Sequence, residues 1–264
     1  MAETPIRFDD GEAYERGMGG WTRIAGGIFL DWLAPSQDLR WIDIGCGNGA
    51  FTQLVVDRCA PREVQGIDPS EGQLAFAKKR PAARIATFRE GHAMALPFED
   101  ARFDAATMAL VIFFVPEPAK GVAEMRRVVA PGGIVAAYAW DMEGGGFPFQ
   151  PIFAELSAMG LSPPGPPQPQ ASRLATLRSL WADAGLDSVE TRTIAIERSF
   201  VDFDEFWETS TNFSGMKLAF AKLDPAALDQ LKSRVRARLT VDAAGGVRAH
   251  ALANAVKGRV PQRA

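Results

Sequence analysis

The sequence contains little of what metal and disulfide chemistry requires. Its 264 residues include only two cysteines, Cys46 and Cys59, and two histidines, His92 and His250. Two cysteines do not make a disulfide framework, and these four side chains do not form a metal-binding set. We therefore predict a chain whose thiols stay reduced and which has no metal site.

The sequence also lacks a long apolar run and a strong charge of either sign. No stretch is long enough to span a bilayer, and no targeting signal is visible at the N-terminus. A formal net charge of -3 does not provide the excess of positive charge that nucleic-acid binding requires. These properties predict a cytoplasmic protein with no membrane span and no nucleic-acid partner. We expect it to be a monomer or a homodimer.

A glycine-rich turn after an apolar segment indicates a ligand site. Residues 41–44 are typical of a buried strand, and residues 45–49 (GCGNG) follow them just before a helical pattern. Glycines at alternate positions allow a tight turn and leave bare N–H groups against which a ligand can lie. Asp43, two residues before the first glycine, would repel a pyrophosphate and attract a cation. We expect a positively charged ligand.

A second acidic residue follows at an informative distance. The short apolar run at residues 63–67 ends at Asp68, which lies 19 residues after Gly49 (68 − 49 = 19). An acidic residue about 20 residues past such a turn accepts hydrogen bonds from both hydroxyls of a ribose. The two aspartates together point to S-adenosylmethionine, which is cationic and contains a ribose.

Four motifs resemble those of the class I S-adenosylmethionine-dependent methyltransferases. Residues 43–49 are similar to the family's first motif and residues 66–70 to its second. Residues 90–98 and 103–106 resemble the adenine-side loop and the fourth strand, and residues 129–133 the turn before the fifth strand. Four motifs in order are far more specific than one glycine pattern. The resemblance is closest to the small-molecule branch that includes the ubiquinone and menaquinone biosynthesis C-methyltransferases.

The resemblance implies how S-adenosylmethionine is held, with S-adenosylhomocysteine as the product. Gly45, Cys46 and Gly47 would line its methionine part. Asp43 would meet the amino group and Asp68 the ribose hydroxyls. The other implied cofactor contacts border the adenosine, form the floor of the site or shield the sulfonium: Pro69, Ser70, His92, Ala93, Met94, Ala109, Tyr14, Met18 and Trp21. For Trp21 the alternative is simple packing of an amphipathic helix on the core.

Apolar segments alternate with helical patterns, which predicts an α/β fold with a doubly wound, mostly parallel sheet. Seven strands are expected, near residues 40–45, 63–68, 84–88, 103–110, 133–140, 189–200 and 247–260. By family resemblance the seventh is antiparallel. Helices are expected at residues 51–59, 71–80 and 116–129, and a further helix is expected to be capped by Ser172 and ended by Gly185.

We interpret residues 1–264 as a single methyltransferase domain with four parts. Residues 1–38 form an N-terminal helical arm and residues 39–141 the cofactor-binding core, while residues 142–171 and 201–246 are acceptor-side insertions that form a helical cap. The first insertion is rich in glycine and proline, so we expect it to contain no regular element. In the second, apolar side chains either line an acceptor pocket or pack the insertion onto the sheet: Phe203, Phe206, Trp207, Phe213, Met216 and Phe220.

Methyl transfer is an in-line displacement at carbon, and the sulfonium already provides a good leaving group. The protein mainly has to align the reactants and exclude water. A phenol or carbon acid would also benefit from a base, for which Tyr14, His92, Tyr138 and Asp141 are candidates and Asp141 is favoured. His92 stands where the family usually has an acidic residue, and an imidazole can accept through one nitrogen.

The favoured function is methyl transfer to a small, apolar or aromatic acceptor. A second hypothesis is a cofactor-binding regulatory or partner protein without turnover. A third is an NAD-dependent oxidoreductase, against which both Asp43 and the Gly-x-Gly-x-Gly spacing argue.

Overall fold

The computed structural model describes residues 15–161, 165–211, 216 and 219–262. The predicted α/β fold is confirmed, with one sheet and helices packed against it. Its strands are β1 (Arg40–Ile44), β2 (Glu63–Asp68), β3 (Ala86–Glu90), β4 (Phe103–Ala109), β5 (Val129–Trp140), β6 (Asp187–Phe200), β7 (Thr240–Val241) and β8 (Val247–Arg259). Its helices include α1 (Gly20–Leu33), α2 (Ala50–Cys59), α3 (Glu71–Ala77), α4 (Pro118–Val128), α5 (Gln150–Ala158), α6 (Leu174–Asp183), α7 (Phe203–Thr211) and α8 (Pro225–Ala237).

The sheet has the strand order β3-β2-β1-β4-β5-β8-β6. The first five strands of this order are parallel, and β8 runs antiparallel to both β5 and β6, as predicted for the last strand. The two residues of β7 pair with β8 and add an eighth strand that the sequence did not predict. Because the chain leaves β1 in one direction and returns to β4 on its other side, the switch point of the sheet lies between these two strands. In such sheets ligands bind at the carboxyl ends of the strands beside this point.

The central strands are buried because they lie inside a parallel sheet that is covered by helices. On β1, Trp41, Ile42 and Ile44 are fully buried, and the Trp41 indole donates to Thr107 Oγ1 of β4 at 3.0 Å. A buried indole N–H needs such a partner. The end of β1, which carries Asp43, is therefore held in a rigid setting.

The first insertion contains a regular element, so the prediction of an irregular segment was wrong. Helix α5 has nine residues and carries a proline in its first turn, where a missing backbone N–H costs nothing. Its buried Glu155 accepts from Nε of Arg238, the residue that follows α8, at 2.5 Å and lies 3.8 Å from Arg234 of α8. The two insertions are thus joined to each other by a charged contact.

The predicted cap of α6 was also wrong. Arg173 precedes that helix, and the Ser172 hydroxyl donates instead to the carbonyl of Pro169 at 2.7 Å and accepts from the Met142 amide at 3.2 Å. The hydroxyl therefore ties two loops together. Gly185 ends the helix as predicted, with φ at +71°.

The apolar side chains of the second insertion pack on one another. The rings of Trp207 and Phe220 stack at 5.4 Å, and the ring of Phe206 meets that of Phe200, on β6 of the sheet, edge to face at 5.3 Å. Phe213 lies outside the described residues. These contacts favour the packing alternative over an open acceptor pocket. Within the described ranges, none of the helices combines the length and apolar character needed to cross a bilayer.

Candidate active site

The glycine-rich turn connects β1 to α2 at the switch point. Gly45, Gly47 and Gly49 have φ of +72°, +52° and +77°, a region that residues with a Cβ rarely adopt. A Cβ on Gly45 would also lie 2.4 Å from Cγ2 of Val111, which follows β4. The turn therefore needs glycine both for its backbone conformation and for its close approach to the end of β4.

The prediction that the turn leaves bare N–H groups was wrong. The amides of Gly45 and Cys46 both donate to the carbonyl of Ile67, at 2.7 and 3.0 Å. The amide of Gly47 donates to Oδ2 of Asp68 at 2.9 Å. These bonds anchor the turn to the end of β2, so its shape is fixed before any ligand arrives.

Asp43 is fully buried beneath the turn. Its Oδ2 accepts from the Thr52 hydroxyl of α2 at 2.6 Å, whereas Oδ1 has no hydrogen-bond partner among the residues that the structure describes. Burial and, to a lesser extent, the charge of Asp68 raise the pKa of Asp43 to about 7, although the Thr52 hydrogen bond acts to lower it. A cation that reached Oδ1 would stabilise the ionised form.

Asp68 lies at the end of β2 and is nearly buried. Its Oδ2 accepts from Gly47 and its Oδ1 from the amide of Ser70, both at 2.9 Å. Burial raises the pKa of Asp68, while these two amides and the nearby His92 lower it. Since a carboxylate oxygen can accept more than one hydrogen bond, the side chain retains the capacity to accept two hydroxyls.

The N-terminal arm is fastened to the turn by Glu15, the first residue of a short π-helix that precedes α1. The Glu15 carboxylate accepts from Asn48 Nδ2 at 3.1 Å, from the Arg80 guanidinium, and from Arg23 Nη1 at 2.5 Å. Burial opposes its ionisation, but Arg80 and Arg23 outweigh it and hold the pKa of Glu15 below its usual value. Arg80 also donates to the carbonyl of Asn48 at 2.6 Å, so the arm, the turn and the end of α3 meet at one point.

Close backbone contacts hold the other side of the arm. The guanidinium of Arg198 lies 4.5 Å from the ring centre of Phe200. It also lies against the arm, because a Cβ at Gly20 would come within 2.8 Å of Cζ of Arg198. A Cβ at Gly17 would lie 3.2 Å from a backbone oxygen of α7. Trp21 is fully buried beside Phe200, which fits the packing alternative given for this residue.

Most of the remaining predicted cofactor contacts lie at or just after the carboxyl ends of β2, β3 and β4, whereas Met18 lies in the π-helix of the arm. Ser70 caps α3 by accepting from the amide of Gln73 at 3.3 Å. Exposure differs among the others, with Pro69 and His92 exposed and Ala93, Met94, Ala109 and Met18 half-buried. Their roles as cofactor contacts stay predictions, and Tyr14 lies outside the described residues.

Two of the candidate bases, Tyr138 and Asp141, take part in contacts that shape the fold. Tyr138 is fully buried between the rings of Phe29 and Phe51, at 4.8 and 5.7 Å, so it does not stand at the mouth of the site. Asp141 Oδ1 accepts from the amide of Gly144 at 3.0 Å and shapes the turn after β5. The catalytic roles of Asp141 and Tyr14 stay predictions.

The sequence profile of a family described as "Methyltransferase domain" matches residues 42–137, the segment that carries both aspartates. Residues 42–137 thus match a methyltransferase domain. The predicted resemblance to the class I S-adenosylmethionine-dependent methyltransferases is confirmed for this segment.

Relatives of the methyltransferase domain include two curated bacterial proteins. The ubiquinone/menaquinone biosynthesis C-methyltransferase UbiE of Paracoccus denitrificans is 36% identical over 119 residues, which are 44% of this chain and 48% of that protein. The demethylmenaquinone methyltransferase of Staphylococcus aureus is 34% identical over 129 residues, or 48% of this chain and 52% of that protein. The chain thus matches about half the length of these relatives.

A solved structure shows the same fold over most of the chain. Phosphoethanolamine N-methyltransferase 2 of Haemonchus contortus, in complex with S-adenosyl-L-methionine, covers 95% of this chain and 56% of its own, with a TM-score of 0.60 at 22% identity.

Three residues beside the methyltransferase domain's turn were missed from the sequence: Thr52, Gln73 and Glu15. Thr52 and Gln73 could have been noticed as polar residues on the inward faces of short helices. Glu15 gives no such signal, because Asn48 and Arg80, the partners that place it beside the turn, lie 33 and 65 residues away along the chain.

Proposed function

We propose that the chain is an S-adenosylmethionine-dependent methyltransferase that acts on a small, apolar or aromatic acceptor. The observation that carries this proposal is the pair of buried carboxylates on either side of the glycine turn. Asp43 presents an oxygen with no hydrogen-bond partner among the described residues and has a pKa of about 7, and Asp68 is fixed by two backbone amides. A cation with a vicinal diol suits this pair, since a pyrophosphate would face two negative charges.

The residues present fit this cofactor. Asp43 would hold its ammonium group and Asp68 its ribose, while the loop at residues 92–94 would border the adenine. Once bound, the cofactor supplies a methyl group for transfer to the acceptor, and its sulfonium sulfur is a good leaving group because it becomes a neutral thioether. The chain orients the two reactants and excludes water, and alignment alone accounts for about 7 to 11 kcal/mol of the barrier in well-oriented systems.

The proposed acceptor class draws on the relatives. Both curated bacterial relatives are named for quinone biosynthesis or for a demethylmenaquinone substrate. Location in the cytoplasm, a monomeric or homodimeric state and the absence of a nucleic-acid partner stay predictions from the sequence.

The test has a binding arm and a turnover arm. Calorimetry should show saturable one-to-one binding of S-adenosylhomocysteine, which Asp68→Ala abolishes. Labelled methyl groups should then pass from S-adenosylmethionine to at least one member of a panel of hydroquinones, phenols and other aromatic acceptors. Absence of binding would overturn the proposal. Binding without transfer to any acceptor would favour a regulatory protein, and saturable quenching of nicotinamide fluorescence would favour an oxidoreductase.

A further inference from the structure

Gln73 is a buried polar residue that nothing above employs. It lies in the first turn of α3, is 3% exposed, and its Oε1 finds no hydrogen-bond partner within the described part of the chain. The backbone amide of Gln73 donates to the Ser70 hydroxyl, so the first turn of α3 is held in place. A buried amide oxygen without a partner is costly, and such groups are rare in folded proteins.

The position of Gln73 directs this oxygen toward the glycine turn. The inward face of α3 runs along the turn, so that Ala77 packs against Gly49, with 3.1 Å between its Cβ and the position a Cβ on Gly49 would take. One helical turn earlier, Gln73 Oε1 stands 4.0 Å from the corresponding position at Gly47. Apart from Gly47 and its two chain neighbours, no other atom of the described residues lies within that distance, so the space above Gly47 is open among them.

The same glycine is joined to Asp68. The amide of Gly47 donates to Asp68 Oδ2, the carboxylate proposed to hold the ribose. Gln73 and Asp68 therefore border one open space from two sides. A hydroxyl placed there can donate to either side chain, and each would otherwise keep an unused acceptor.

We propose that Gln73 is a cofactor-binding residue whose side-chain oxygen accepts a hydrogen bond from a ribose hydroxyl of S-adenosylmethionine. This inference rests on the function proposed above. It explains why a polar side chain occupies a buried position that methionine or leucine would fill without leaving an acceptor unpaired.

Substitution of Gln73 by methionine separates binding from folding. Because Gln73→Met removes the unpartnered oxygen at similar volume, the ligand-free variant should unfold at the same temperature as the wild type or a higher one. Its affinity for S-adenosylhomocysteine should fall about three- to tenfold, the loss of one hydrogen bond. Gln65 on β2 is a matched control, since its Oε1 is also buried without a partner among the described residues. Gln65→Met should leave the affinity unchanged.

Cofactor analogues identify the group that is bound. The affinity loss in Gln73→Met should disappear when the ligand is S-adenosylhomocysteine without its 2′-hydroxyl or without its 3′-hydroxyl, whichever donates to Gln73. Failure of the wild type to bind S-adenosylhomocysteine overturns both proposals. Binding by the wild type that Gln73→Met leaves unchanged, or a loss that persists with both deoxy analogues, overturns only the assignment of Gln73.

Discussion

Thr52 donates its hydroxyl to Oδ2 of Asp43 at 2.6 Å, and this bond leaves Oδ1 as the oxygen that can meet a ligand. Both side chains are fully buried. A fixed carboxylate loses no side-chain entropy when a cation binds, so the threonine preorganises the site.

Replacing Thr52 by valine should weaken cofactor binding. The variant keeps the shape of the side chain but leaves Oδ2 of a buried carboxylate unpaired, which raises the pKa of Asp43 above about 7. We expect S-adenosylmethionine to bind at least about tenfold more weakly at pH 7, because a hydrogen bond to a charged group contributes about 1.5 to 3 kcal/mol. Calorimetry measures the change. Thr52→Ser, which keeps the hydroxyl, is the control, and equal affinities for valine and serine variants would contradict the prediction.

Cofactor affinity should rise with pH through the pKa of Asp43. The ligand favours the ionised carboxylate, and burial raises its pKa to about 7. Between pH 8 and pH 6 the affinity should therefore fall by about tenfold, one factor of ten for each unit below the pKa. The measurement is a titration series across this range. Asp43→Asn should bind weakly at every pH, and a wild-type profile without a slope would refute the assignment.

The same carboxyl group should affect the stability of the ligand-free protein in the opposite direction. Its pKa in the folded chain is raised from an ordinary value of 3.8 to about 7, so the folded state binds more protons than the unfolded state in this range. The contribution of Asp43 to the free energy of unfolding consequently decreases as pH rises from about 4 to about 7. Urea unfolding of the wild type and Asp43→Asn at several pH values isolates this contribution. A difference between the two proteins that does not vary with pH would speak against it.

Gly45→Ala should lower the free energy of unfolding by more than the cost of placing alanine at a positive φ. An alanine at φ +72° costs about 1 to 2 kcal/mol, and its Cβ would also overlap Val111. Gly160→Ala is a matched control with φ at +77°, and apart from its chain neighbours no atom of the described residues lies within 4 Å of the added carbon. Adding Val111→Ala should recover part of the loss in Gly45→Ala but none in Gly160→Ala. Equal unfolding free energies for the two glycine variants would show that the contact with Val111 does not matter.

Glu15→Gln should loosen the arm from the glycine turn. The carboxylate is the common acceptor for Asn48, Arg80 and Arg23, and charged hydrogen bonds of this kind are about twice as strong as neutral ones. Amide hydrogen exchange in residues 16–22 should become faster, while exchange in β1 should not change. Glu190→Gln is the control, since that carboxylate is largely exposed and lies 3.6 Å from Lys257 on another part of the surface. Unchanged protection of the arm would mean that the contacts of Arg198 and Trp21 hold it alone.

The sheet and the two aspartates could be predicted because their signals are local. Residues 41–49 carry a buried strand and its turn in one continuous stretch, and Asp68 follows at the distance set by one helix and one strand. The packing of a helix on the turn cannot be predicted in this way. Thr52 and Gln73 become part of the site only because α2 and α3 present them to Asp43 and Gly47.

Local signals also produced the errors. The glycine turn has the composition of a loop that offers its amides to a ligand, yet the carbonyl of Ile67 and the carboxylate of Asp68 take them up. Prolines around α5 indicated an irregular segment, although one of them stands in the first turn, where a helix accepts it. In each case a partner that is distant in sequence, or the exact position of a residue, decided the outcome.

Because Asp43 is buried, its proposed contact with the ammonium group makes cofactor uptake a proton-releasing event near neutral pH. A carboxyl group with a pKa of about 7 is partly protonated before binding and ionised afterwards, so the solvent must absorb the difference. The heat of binding then includes the heat of protonating the buffer and differs between phosphate and Tris at the same pH. Cellular acidification would shift the chain toward its empty form without any change in cofactor concentration.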